Sequence, residues 1–154
     1  MSAYKKISCV VKDGELLQAI LGEMGIKFEV GDSLPLYGYR GDERQERADI
    51  VVRRGWIGQW ANDIGWKQQP DGAYSLIISE YDGERAAVKG TRQHRLTHDV
   101  MQEYSRRELL RRYEAEGYTV TEKRLEDGRI ELQIAPGRRT RIKRQARQRV
   151  RVGR

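Results

Sequence analysis

The C-terminal eighteen residues decide where the fold of this chain must be found. Gly137–Arg154 carries nine cations, Arg138, Arg139, Arg141, Lys143, Arg144, Arg147, Arg149, Arg151 and Arg154, and no acidic residue. Its apolar side chains are Ile142, Ala146, Val150 and Val152, too few to offset the entropy of ordering the segment. Pro136-Gly137 disfavours continuation of whatever element precedes it. The sequence therefore predicts a compact domain over 1–136 and an Arg-rich basic tail over 137–154. Without the tail, 21 Lys and Arg face 23 Asp and Glu, so the body carries a net charge of −2 and the chain's +7 belongs to its end.

The body has little apolar material to work with. Hydrophobic residues make up 38% of the 154-residue chain and charged residues 34%, so the core must be economical. No apolar run approaches the roughly 18 residues of a membrane span. The opening Met-Ser-Ala-Tyr-Lys-Lys lacks a signal-peptide stretch. The single cysteine, Cys9, cannot form an internal disulfide. These features lead to the expectation of a cytoplasmic protein in a reducing compartment.

Periodicity and turn chemistry order the elements. Tyr4–Lys12 reads as a strand. Asp13 then reads as an N-cap, followed by Leu16, Leu17, Ile20, Leu21 and Met24 at helical spacing and a stop near Gly25. Ile26–Val30 gives a second strand, Gly31–Gly41 a turn-rich stretch, and Ala48–Arg53 a short strand. Asp63–Lys67 and Tyr74–Ser79 flank Pro70-Asp71-Gly72 as a hairpin. Residues 91–116 form the long-helix candidate, with Leu96, Val100 and Tyr104 on one stripe. Leu110 and Tyr113 fall off that stripe, which predicts a kink or two packing partners. Tyr118–Arg124 and Arg129–Ala135 flank Asp127-Gly128 as a closing hairpin. This order predicts an α+β fold, mainly antiparallel, with two principal helices and a C-terminal β-hairpin.

Three groups of residues carry candidate chemistry. Asp49, Asp63, Glu80 and Asp82 fall at predicted strand ends, where convergent carboxylates could act as acid and base or hold a divalent cation. The plainer role for each is to accept backbone N–H groups at turns. His94 and His98, four apart on the long helix, share a face, but two ligands do not make a metal site and no Cys/His cluster has zinc spacing. No metal and no cofactor is expected. Trp56, Trp60 and Trp66 fall within eleven residues, interleaved with glycines. Trp66 follows the strand pattern and reads as core. Trp56 and Trp60 read as contact aromatics on a loop, which with Tyr37, Tyr39, Tyr81 and Arg53-Arg54 could form a stacking platform for single-stranded nucleic acid.

The segments Ala48-Asp49-Ile50-Val51-Val52, Asp63-Ile64-Gly65-Trp66, Asp71-Gly72-Ala73-Tyr74 and Ser79-Glu80-Tyr81-Asp82, together with the closing Glu-Gly-Tyr-Thr-Val, carry a resemblance. The body resembles an uncharacterised family of bacteria, cyanobacteria and red-algal plastids, the hypothetical chloroplast reading frame thirty-five group. The resemblance implies no catalytic residues. It does imply work within a protein assembly, because members tend to be encoded beside an AAA-type ATPase. Ala3-Tyr4 stands where many members carry His and Phe, and the shorter members lack the tail.

Two functions from different classes follow as expectations. The first is a non-enzymatic adaptor whose body docks on a protein partner and whose nine tail cations bind nucleic acid or a ribonucleoprotein. The second is a metal-dependent or acid–base enzyme using Asp49, Asp63, Asp82 and His98. A tail that contacts acidic lipid or acidic protein instead is a third possibility.

Overall fold

The computed structural model describes residues 4–79 and 92–137, with the side chains of 11–79 and 95–137. The chain divides within its long helix into two compact units, Met1–Tyr104 and Ser105–Arg154. The side chains of Cys9 and His94, and the residues Glu80, Tyr81, Asp82 and the nine tail cations, lie outside what is described.

The first unit is a five-stranded antiparallel sheet in the order β1-β5-β4-β3-β2. Its strands are β1 (Tyr4–Val11), β2 (Glu29–Tyr37), β3 (Glu43–Val52), β4 (Ile64–Gln68) and β5 (Tyr74–Ser79). Helix α1 (Gly14–Glu23) begins where the Asp13 carboxylate accepts the Leu16 N–H at 3.1 Å, the N-cap bond expected from sequence. It ends at Gly25, whose φ of 72° suits a residue without a Cβ. Leu16, Leu17, Ile20 and Leu21 face the sheet, whereas Met24 at the cap is exposed.

One core lies on that face. Ile50, Val52, Ile64, Trp66, Leu76 and Ile78 from the strands meet α1 and the residues Val100 and Tyr104 of the long helix α3 (Arg92–Ala115). The Tyr104 hydroxyl accepts the backbone N–H groups of Lys12 and Asp13, both at 3.0 Å, and so fixes the turn that starts α1. On the opposite sheet face Leu36, Ala48, Val51 and Ile77 form a second buried cluster. Gly65 belongs to that face: a Cβ there would come within 2.6 Å of the Ala48 Cβ.

The structure corrects the sequence reading in the middle of the chain. β2 does not stop at Val30 but runs through the stretch read as turns, to Tyr37. It can do so because Gly31, Asp32 and Ser33 bulge out between the pairs Val30↔Ile50 and Leu34↔Ala48. Pro35 is tolerated because β2 is an edge strand. Its partner β3 likewise begins early, at Glu43, so the polar run before Ala48 is strand. A short helix α2 (Arg54–Ile57) occupies the region read as loop.

The second unit contains the rest of α3 from Ser105 and a two-stranded sheet, β6 (Tyr118–Arg124) with β7 (Ile130–Pro136). Asp127-Gly128 makes the turn, with Gly128 at φ 87° and the Asp127 side chain accepting the Arg129 N–H. Tyr113 packs edge-on against Tyr118 with ring centres 5.9 Å apart, and Arg106 pairs with Glu122 at 2.6 Å. The off-stripe position of Tyr113 therefore reflects two packing partners along α3. Taken by units, the chain is α+β with antiparallel sheets and a C-terminal hairpin, as expected.

Candidate functional site

Asp49 and Asp63 were expected at strand ends, free to converge. Asp49 instead lies within β3, and the ladder keeps the two apart. With Ile50 opposite Trp66 and Val52 opposite Ile64, Asp63 falls beside Arg53, four residues along the strand from Asp49. At about 3.3 Å per residue that is roughly 13 Å, well beyond the roughly 5–9.5 Å separating carboxylates that act as a hydrolytic pair.

Each carboxylate also has a structural task. Asp49 stands alone opposite the three bulged residues of β2. Its Oδ1 accepts the Ser33 N–H at 3.1 Å and its Oδ2 accepts the Gln68 N–H at 2.8 Å. One side chain thus ties β3 to both neighbours where ladder pairing lapses. It lines an open groove of about 630 Å³ with Val30, Ser33, Lys67, Gln68 and Tyr74. Ser33 is held there at φ 57°.

Asp63 is only 1% exposed. It accepts the Tyr37 N–H at 2.9 Å, the Arg54 N–H at 2.7 Å and Arg53 Nη1 at 2.8 Å. Arg53 in turn donates to Glu29 at 2.8 Å and to the Pro35 carbonyl at 2.6 Å, and lies 5.5 Å from the centre of the Tyr37 ring. Burial favours the neutral form of Arg53, but its hydrogen bonds to the Glu29 and Asp63 carboxylates outweigh this and raise its pKa. Arg53 is therefore committed to two acids, Asp63 in the interior and Glu29 at the surface.

His98 is 63% exposed on α3, with Nδ1 3.5 Å from the Asp99 carboxylate. Among the described residues no three His, Cys, Asp or Glu side chains are grouped to hold a metal ion, and no helix is long and apolar enough to cross a membrane.

The contact aromatics have a different character. Trp66 is fully buried, its indole N–H without a hydrogen-bond partner. Trp56, on α2, is 43% exposed and Trp60 69%. The Trp60 ring lies 6.5 Å from the Tyr39 ring, tilted by 56°. Tyr39 is pinned through its backbone: Asn62 Oδ1 accepts its N–H at 2.8 Å and its carbonyl accepts Arg54 Nη1 at 3.1 Å. The Arg40 guanidinium lies 5.3 Å from the Tyr39 ring centre. Nearby, burial pushes the Asp42 carboxyl up, but backbone N–H bonds and the Arg44 guanidinium outweigh this and hold it below the usual carboxylate value. Sequence reasoning missed Arg40 and Asn62. Arg40 sits in a polar run with no periodic signal, and the Asn62 bond to Tyr39 spans 23 residues.

These features define an antiparallel α+β protein in which Asp49 and Asp63 hold backbone N–H groups and Trp56 and Trp60 are exposed. Residues 20–133 match the model of a protein family described as a protein of unknown function, DUF1257. The chain belongs to that family. No curated protein and no solved structure matches it.

Proposed function

We propose that this protein is a non-enzymatic accessory factor that binds nucleic acid or a ribonucleoprotein through its Arg-rich tail while its body docks on a protein partner. The observation that carries this reading is the charge partition: nine cations with no acid in the last eighteen residues, beside a body of net −2. Arginine at this density meets the phosphate backbone of a polynucleotide well and reads little sequence. The commitment of Asp49 and Asp63 to backbone N–H groups favours this over an acid–base enzyme. The family resemblance adds an AAA-type ATPase as the body's partner.

The test is truncation after Gly137. That residue stays because it packs so closely on the Gly117 carbonyl that no Cβ would fit. Fluorescence anisotropy against short RNA and DNA should show the full chain binding with a salt slope no steeper than about −6, from nine cations at about 0.7 each on a single strand. The truncated chain should lose this affinity and keep its melting behaviour. If it binds as tightly as the full chain, the tail is not the binding element.

A further inference from the structure

Trp60 combines two features that work against folding. It is the most exposed large hydrophobic side chain among the described residues, at 69%. Its backbone also sits at φ 65°, a left-handed conformation disfavoured for bulky side chains. Leaving an indole in water forgoes burial, and the positive φ adds strain. Neither is imposed by a loose surroundings: Ala61, Asn62 and Asp63, which follow directly, are 2%, 6% and 1% exposed. A rigid anchor therefore holds a strained, outward-facing indole, and strain that persists at a surface aromatic points to a task outside the fold.

What surrounds the indole narrows the task. Tyr39 presents a second ring 6.5 Å away, fixed through both of its backbone groups by Asn62 and Arg54. Arg40 is exposed beside that ring, and Arg54 lies behind it. Neither arginine makes an ion pair among the described residues. Three acids of this region pair with other arginines: Asp63 and Glu29 with Arg53, and Asp42 with Arg44. The patch is thus two tilted aromatic faces bordered by two uncompensated cations, with Trp56 as a further half-exposed ring on α2.

We propose that Trp60 and Tyr39 form a base-stacking site for single-stranded nucleic acid, with Arg40 and Arg54 meeting its phosphates. Every base has a face that can stack on an aromatic ring, and guanidinium groups beside such rings track the backbone. An apolar peptide would bury both arginines with no anion to meet them, and a folded duplex would keep its bases from the rings. The site deepens the function proposed above and rests on the reading that this chain binds nucleic acid. The two contributions differ in kind: the tail supplies charge, and the body distinguishes strands with bases from strands without them.

That difference is the experiment. The full chain is titrated with a short oligothymidylate and with an abasic strand of the same length and charge, at one salt concentration. The thymidylate should bind more tightly and quench tryptophan fluorescence, while the abasic strand should leave the emission unchanged. Trp60→Ala should weaken thymidylate binding roughly 5- to 100-fold, the range lost when one base–aromatic stack is removed, and leave abasic binding within about twofold. Trp60→Phe, which keeps a ring, should retain most of the preference. Equal binding of the two strands by the unaltered chain overturns the stacking site, as does a preference that survives Trp60→Ala. The tail reading fails separately, if truncation after Gly137 leaves abasic-strand binding unchanged.

Discussion

Asp63→Asn is the substitution that most directly separates a structural carboxylate from a catalytic one. The side chain is 1% exposed and accepts three hydrogen bonds, two from backbone N–H groups and one from Arg53. Removing one partner of a buried ion pair costs about 3–5 kcal/mol. Arg53 is 19% exposed and keeps Glu29, so the lower end of that range applies, about 3 kcal/mol. The amide also has one acceptor oxygen in place of two, and its NH₂ must face a donor. That strands a buried N–H at a further cost of about 1–3 kcal/mol. The sum, about 4–6 kcal/mol, is a large part of the about 5–15 kcal/mol that holds a typical domain together. Urea unfolding followed by circular dichroism should show it. With a slope of about 1–3 kcal/mol per molar, the midpoint should fall by more than about 1 M, or the chain should fail to fold. A midpoint within about 0.2 M of the unaltered protein would refute the structural assignment and return Asp63 to the list of chemical candidates.

Two further outcomes test the core. Ile20→Ala removes a fully buried side chain from the α1 face and should cost about 2–5 kcal/mol, read as a lowered melting temperature. Gly65→Ala places a Cβ within 2.6 Å of the Ala48 Cβ and 3.1 Å of Leu36 and should cost about 1–3 kcal/mol by overpacking. A melting temperature equal to that of the unaltered chain would show that the second sheet face has room it lacks here.

Where periodicity and turn chemistry spoke together, the sequence was readable. Asp13 caps α1, Gly72 and Gly128 turn at positive φ, and Val100 and Tyr104 point into the core. What stayed hidden was non-local. β2 and β3 extend through polar, turn-rich sequence because each pairs with the other across a bulge, and bulge pairing leaves no period-two signal in either strand alone. The sequence reads Asp49 and Asp63 both as acceptors of backbone N–H groups, which they are, and as a candidate catalytic pair. Their separation needed the register, since only Ile50↔Trp66 and its neighbours reveal how far apart along the ladder the two residues lie. Arg53 and Arg54 are adjacent in sequence and different in role: the half-buried Arg53 pairs with Glu29 and Asp63, and Arg54 braces Tyr39.

The same three residues link the fold to its exposed chemistry. Ala61, Asn62 and Asp63 are buried between the strained Trp60 and the start of β4. Asp63 holds the first N–H of α2 and the N–H of Tyr37, while Asn62 holds the N–H of Tyr39. The tyrosine loop, the short helix with Trp56 and the Trp60 turn are therefore positioned from one buried segment. The Asp63 carboxylate orders the surface on which aromatic rings and arginines are displayed. Such ordering lowers the entropy that a bound partner would otherwise have to overcome. It accounts for a polar pair kept in the interior of a chain with so little apolar residue to spare: Asn62 and Asp63 satisfy backbone N–H groups at the end of β2, in the loop after it and at the start of α2.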